Sequence, residues 1–207
     1  MMKTDAISTI ADYSHQSTES TLMSQLPMTE VIDQIVELNY QMCVIWTTKA
    51  KGWVPIYAAE LLSKSRIDWQ VSLSECLRIW LTPGTYDESD GRLILAWANL
   101  GALVECGLKL YLTVWSRDYR QDTDAVIRKG KVVQPDCLQL EQLRQFLKKK
   151  QLWDEEWVDW IEKIQHRRNA IHAFKDRDIG DWGEFFEDVR KYREYLHHLN
   201  SYLPYPD

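Results

Sequence analysis

Residues 93–115 form the most apolar run of the chain, and they limit what the remaining residues can build. The run is long enough to raise the question of a membrane, since roughly twenty apolar residues span a bilayer. Glu105 and Lys109 stand near its middle, however, and a charge at mid-bilayer costs about 2.5–3.5 kcal/mol even on lenient scales. A central helix buried on nearly every side is therefore expected, and no membrane partner. Such a helix needs neighbours with apolar faces, and the rest of the chain is read for them.

Helical periodicity supplies these faces. Val31, Ile35, Leu38, Met42 and Ile45 recur at three- and four-residue spacing, predicting a helix from near Glu30 to Trp46 with Thr29 as its cap. Gly52 and Pro55 break the pattern, and residues 57–63 and 67–81 read as helical pieces before a Thr82-Pro83-Gly84-Thr85 stop. An acidic start at residues 87–90 leads into the central helix. Residues 117–135 read as a polar surface loop in which Val126-Ile127 and Val132-Val133 can form a short ordered piece. Leu138, Leu140, Leu143, Phe146 and Leu147 mark the next helix, ending in Lys148-Lys149-Lys150. Trp153, Trp157, Trp160, Ile161 and Ile164 mark another, and a last helix is expected over residues 184–202. No alternating strand segment, internal repeat or glycine-rich phosphate loop is seen. The expected fold is all-α, an up-and-down helical bundle with additional N-terminal helices. Residues 1–26, rich in Ser and Thr, read as a flexible or loosely docked arm, and residues 27–207 as one domain.

A formal charge of -6 argues against a surface that attracts nucleic acid everywhere, so any such contact must be focal. Ten tryptophans imply bulky aromatic anchors in the core or at an interface. Cys43, Cys76, Cys106 and Cys137 are widely spaced, with no pair at zinc or redox spacing. Free thiols in a reducing cytosol are the economical reading, and the polar N-terminus with Asp5 and Asp12 does not read as a secretory signal. A cytoplasmic protein is expected.

Chemistry concentrates in Arg167-Arg168-Asn169-Ala170-Ile171-His172-Ala173-Phe174. On a continuous helix Arg168 and His172 share a face, whereas Arg167 and His172 stand about 140° apart. Solvated charges at a helix end explain such a cluster on its own. Glu105 and Lys109, four apart on the apolar helix, can pair. Lys148, Lys149 and Lys163, with Arg144, are candidates for a basic rim that contacts phosphates. His166 is auxiliary at most, His197-His198 reads as an exposed pair rather than a metal site, and the Trp153-Trp157-Trp160 stripe as core or interface. No metal or cofactor is expected.

Arg167-x4-His172 followed by Ala173-Phe174 resembles the Arg-x4-6-His signature of HEPN domains, all-α bundles that include many ribonuclease toxins and phage-defence effectors. Residues 101–112, with Glu105-x3-Lys109, resemble the central helix of that family, so the likeness covers roughly residues 93–200. The resemblance implies a metal-independent RNA endonuclease with His172 as general base and Arg167 as phosphate clamp. Asn169, Arg168, Glu105 and Lys109 would be auxiliary. It also implies RNA as substrate, a homodimer, and an antitoxin or defence-system partner protein. Arg168 stands where the family often has a polar residue such as Asn, and Phe174 stands where one branch has a tyrosine that accepts a nucleotidyl group. Phe174 offers no hydroxyl for that chemistry. The rival expectation is a non-catalytic HEPN-like module that binds a protein or a nucleotide.

Overall fold

A computed structural model describes residues 26–49, 52 and 54–205. The N-terminal arm expected over residues 1–26 lies outside them apart from Leu26. Helix α1 spans Met28–Val44 and has Pro27, not Thr29, at its N-cap. The proline's φ of -53° is already set for the turn, and its carbonyl accepts from Glu30 and Val31 at 3.0 and 3.1 Å, leaving Thr29 inside the first turn. A π-helical turn, Ile45–Lys49, closes the helix.

Helices α2 (Ile56–Lys64) and α3 (Ile67–Glu75) follow, and the piece expected over residues 67–81 tightens at Cys76 into a 3-10 segment, Cys76–Leu81. Asn99 is the physical reason at hand. Its Nδ2 donates to the Leu73 carbonyl at 3.0 Å while its Oδ1 accepts from the Trp80 indole at 3.1 Å, so a side chain takes over bonding at the end of α3. Helix α4, Ser89–Val114, is entered through a 3-10 turn, Tyr86–Glu88, with a Thr85/Glu88 capping box. Helix α5 is short, Ser116–Gln121.

Residues 127–132 differ from the expected absence of strands. β1 (Ile127–Arg128) and β2 (Lys131–Val132) pair antiparallel, joined by Lys129 at φ 52° and Gly130 at φ 74°, the left-handed pair that a tight two-residue hairpin requires. Two-residue strands are too short for alternation to show in a sequence. After a 3-10 turn, Pro135–Cys137, come α6 (Leu140–Lys150), α7 (Glu155–Arg168), a 3-10 turn Asn169–His172 and α8 (Trp182–Ser201).

The result is an all-α helical bundle around α4. Helices α7 and α8 pack on α4, α2, α3 and α6 also touch it, and α1 closes across α3 and α8. Leu100, Leu103 and Val104 on α4 are fully buried, each adding about 1.5–3 kcal/mol through the water its side chain leaves. Gly107 is required by a close approach: a Cβ there would lie 2.7 Å from the Tyr195 hydroxyl, which donates to the Val104 carbonyl at 3.0 Å. Among the described residues Tyr86–Val114 is the one helical stretch long and apolar enough to cross a membrane, and 56% of its most apolar window is buried inside the bundle.

Candidate functional site

The Arg167–Phe174 segment is not one helix. The α-helix ends at Arg168, residues 169–172 wind more tightly, and Ala173 turns left-handed at φ 48°. At about 3 residues per turn in the tighter segment, the face shared by Arg168 and His172 on a continuous helix no longer applies. Ala170 is buried and anchors the turn, Asn169 is half-buried, and His172 is exposed. Ile171 is 46% exposed and Phe174 fully so. A non-glycine residue in the left-handed region costs about 1–2 kcal/mol, and such strain gathers at functional turns.

The two arginines diverge. Arg167 is 7% exposed and its guanidinium carbon lies 5.9 Å from the Trp97 ring centre. Its Nη2 donates to Glu184 at 2.7 Å, and its Nη1 stands 2.5 Å from an Asp178 carboxylate oxygen as an ion pair without good hydrogen-bond alignment. The loop between α7 and α8 holds this arrangement: the Trp97 indole donates to the Ile179 carbonyl at 2.8 Å, and the Gly180 amide donates to Asp178 at 2.9 Å. That amide, followed by the Arg167 charge, pulls the Asp178 carboxyl below its ordinary pKa. Asp181 caps α8 by accepting from the Glu184 amide at 2.9 Å, which fixes Glu184 toward Arg167.

Arg168 points the other way, across Gly101 of α4, where a Cβ would lie 2.6 Å from its Cδ. Its Nη1 donates to Glu105, and Lys109 contacts the other oxygen of the same carboxylate at 2.8 Å. The pairing expected between Glu105 and Lys109 is present, and Arg168 joins it. These three line a cleft of about 400 Å³ between the α2–α3 elbow and α4; Arg167, Asn169 and His172 do not line it. Lys64, Arg66 and Trp69 stand in its other wall over Leu62 and Ile67. Cys106 also lines it, its thiol pushed up to about 11 by burial, which leaves little thiolate to act as a nucleophile.

The expected basic rim is not assembled as one surface. Arg144 is buried and held by Glu141 and Glu162 at 2.9 and 2.8 Å. Lys149 and Lys150 reach back to Asp124 and Asp122 at 2.5 and 3.0 Å, while Lys148 is exposed. The lysine run precedes the start of α7 and the arginines end it, so the 14 residues of that helix put about 20 Å between them. Lys163 lies one turn before Arg167 and pairs with Asp188 at 2.8 Å.

Trp153 and Trp160 are buried and Trp157 is half-buried, but Trp153 precedes the start of α7 at Glu155 and so is not part of a helix stripe. The exposed pair His197-His198 divides: His197 is exposed, whereas His198 is half-buried, stacking on Trp157 at 4.8 Å and meeting Trp153 and Tyr202 edge-on at 5.0 Å each. Among the described residues no three His, Cys, Asp or Glu side chains converge as a metal site. The four cysteines are unpaired; Cys43, Cys76 and Cys106 are partly buried, while Cys137 is exposed.

Asp178, Glu184 and Trp97 around Arg167, and Lys64, Arg66 and Trp69 in the cleft, are the residues the sequence pattern leaves unmarked. The Asp181-x-x-Glu184 capping signature is the one local signal that points toward any of them. No protein-family model, curated protein or solved structure matches the chain.

Proposed function

We propose that the protein is a metal-independent RNA endonuclease of HEPN type. The observation that carries this reading is the exposed imidazole of His172 on a strained turn directly after two arginines. A neutral imidazole accepts the proton of a ribose 2′-hydroxyl near pH 7. The 2′-oxygen then attacks phosphorus, the bond to the 5′-oxygen breaks, and that oxygen leaves protonated by the imidazolium. A 2′,3′-cyclic phosphate and a 5′-hydroxyl result. Arg167 serves as phosphate clamp by exchanging Asp178 and Glu184, which are 84% and 45% exposed, for phosphate oxygens. Asn169 and Arg168 are auxiliary, and a homodimer would bring two such turns to one RNA. The biological setting, a toxin or phage-defence effector restrained by a partner protein, belongs to the same proposal.

Incubation of the purified chain with total RNA in EDTA tests it. Cleavage that is lost in His172→Ala, a variant at an exposed position that keeps the wild-type melting curve, is the expected result. Undiminished cleavage in that variant rules the mechanism out.

The second reading, a non-catalytic binding module, draws on the ion pairs that already occupy Arg167. It predicts no cleavage by the wild-type chain at any salt concentration or protein concentration, and none gained by Asp178→Asn, which frees one side of the guanidinium.

A further inference from the structure

The cleft between the α2–α3 elbow and α4 has a charge imbalance that the bundle itself does not answer. Lys64, Arg66, Lys109 and Arg168 line it against Glu105 and Asp136. Arg66 is taken up outside by Asp68 through two hydrogen bonds of 2.9 and 2.6 Å. Three cations then face two carboxylates, and one of these, Glu105, is shared between Lys109 and Arg168. The shared group is not out in water: the side chains of Glu105, Lys109 and Arg168 are 15%, 29% and 32% exposed. A surplus cation held in such a place is stabilised by a counter-anion more strongly than a solvated one would be.

The rest of the lining is apolar. Leu62, Ile67, Leu73, Ala102 and Leu110 floor the cleft, and Trp69, 58% exposed, stands at its mouth with the Arg66 guanidinium 4.2 Å from its ring centre. A concave apolar volume with a few convergent polar groups is the ordinary form of a small-molecule site.

We propose that this cleft binds a small monoanion with a flat or branched apolar body, of which an aromatic carboxylate or sulfonate is the simplest example. The anionic group sits at Lys109 and Arg168, and the apolar body lies over Leu62 and Ile67 toward Trp69. A single surplus charge suits one negative charge on the ligand and does not suit a polyphosphate, which would bring several unpaired charges onto the apolar floor. The site shares Arg168 with the auxiliary residues of the proposed RNA cleavage, but neither Arg167 nor His172 lines it, so anion binding is tested apart from cleavage.

Titration of the full chain with 8-anilinonaphthalene-1-sulfonate, followed by fluorescence, tests the site. Saturable binding of one dye per chain is expected, displaced by indole-3-acetate at lower concentration than by ATP. Lys109→Met leaves Arg168 alone with Glu105, removing the surplus charge, and weakens binding at least about fivefold. Ala102→Phe fills the floor and abolishes it; if that variant does not fold, Lys109→Met decides. Absence of a saturable site, an affinity in folded Lys109→Met within about twofold of wild type, or displacement by ATP ahead of indole-3-acetate would each overturn the proposal.

Discussion

Arg167 and Arg168 are neighbours in sequence with opposite environments, and their substitutions should separate accordingly. Arg167→Met removes the shared partner of Asp178 and Glu184 and the cation over Trp97. It should cost about 1–3 kcal/mol, discounted for the exposure of both carboxylates. Arg168→Met leaves Glu105 still paired with Lys109, so about 1 kcal/mol or less is expected. Urea denaturation of the two variants measures the difference, and an equal loss would contradict the asymmetry. His198 offers a second test at this scale. Burial holds its pKa below the ordinary histidine value, and its Nε2 is buried without a hydrogen-bond partner. A base depressed in the folded state contributes stability that is full above its unfolded value of about 6.5 and is lost as pH falls through the lower folded value. His198→Phe, which retains a ring against Trp157, should flatten the fall in melting temperature below that pH.

At the scale of elements, glycines decide how closely the helices approach. Gly107→Ala sets a methyl against the Tyr195 hydroxyl and should destabilise by about 1–3 kcal/mol through overpacking between α4 and α8. Gly180→Ala combines a φ of 64° with a Cβ 2.9 Å from the Arg167 guanidinium carbon, so it should cost at least about 1 kcal/mol and loosen the loop over Arg167. Thermal melts compare the two, and hydrogen exchange at Ile179 and Gly180 reports the loop: faster exchange is expected in Gly180→Ala but not in Gly107→Ala. The end of α7 at Arg168 matters at this scale as well. The 3-10 turn that follows carries Ala170 inward and leaves Ile171 46% exposed, although an unbroken helix would set Ile171 on the same face as the buried Ile164.

For the whole molecule, one apolar cluster runs from Val31 on α1 to Leu203 beyond α8. Its continuity predicts a single cooperative unfolding transition for the described bundle, with near-ultraviolet and far-ultraviolet circular dichroism changing together; separate transitions would divide the core. Acid should unfold it through the surface carboxylates. Asp68 is held below its ordinary pKa by Arg66, Asp122 by the Asp124 amide and then Lys150, Asp124 by Lys149, and Glu156 by Lys191. Depressed carboxylates contribute stability that is present above the unfolded value of about 4 and lost as pH falls through the folded values. The melting temperature should therefore fall below about pH 4, and less steeply in high salt, which screens these exposed pairs.

Apolar spacing made most of the helices legible, but not the ends of α3 at Glu75 and of α7 at Arg168. Three- and four-residue apolar spacing specifies a helix locally, and the charges Glu105 and Lys109 within the most apolar run mark a side of α4 that cannot be sealed. The same spacing also sufficed for their pairing, because residues four apart meet on any helix. Tertiary structure alone decided which arginine serves which partner. Arg167 meets Asp178 and Glu184 because a left-handed Gly180 and the Trp97 indole fold the loop back over α7, and Arg168 reaches Glu105 because Gly101 clears its path across α4. These contacts join residues far apart in sequence, such as Arg168 with Glu105 across 63 positions. Their geometry depends on how close two helices can come, a quantity that no local spacing encodes.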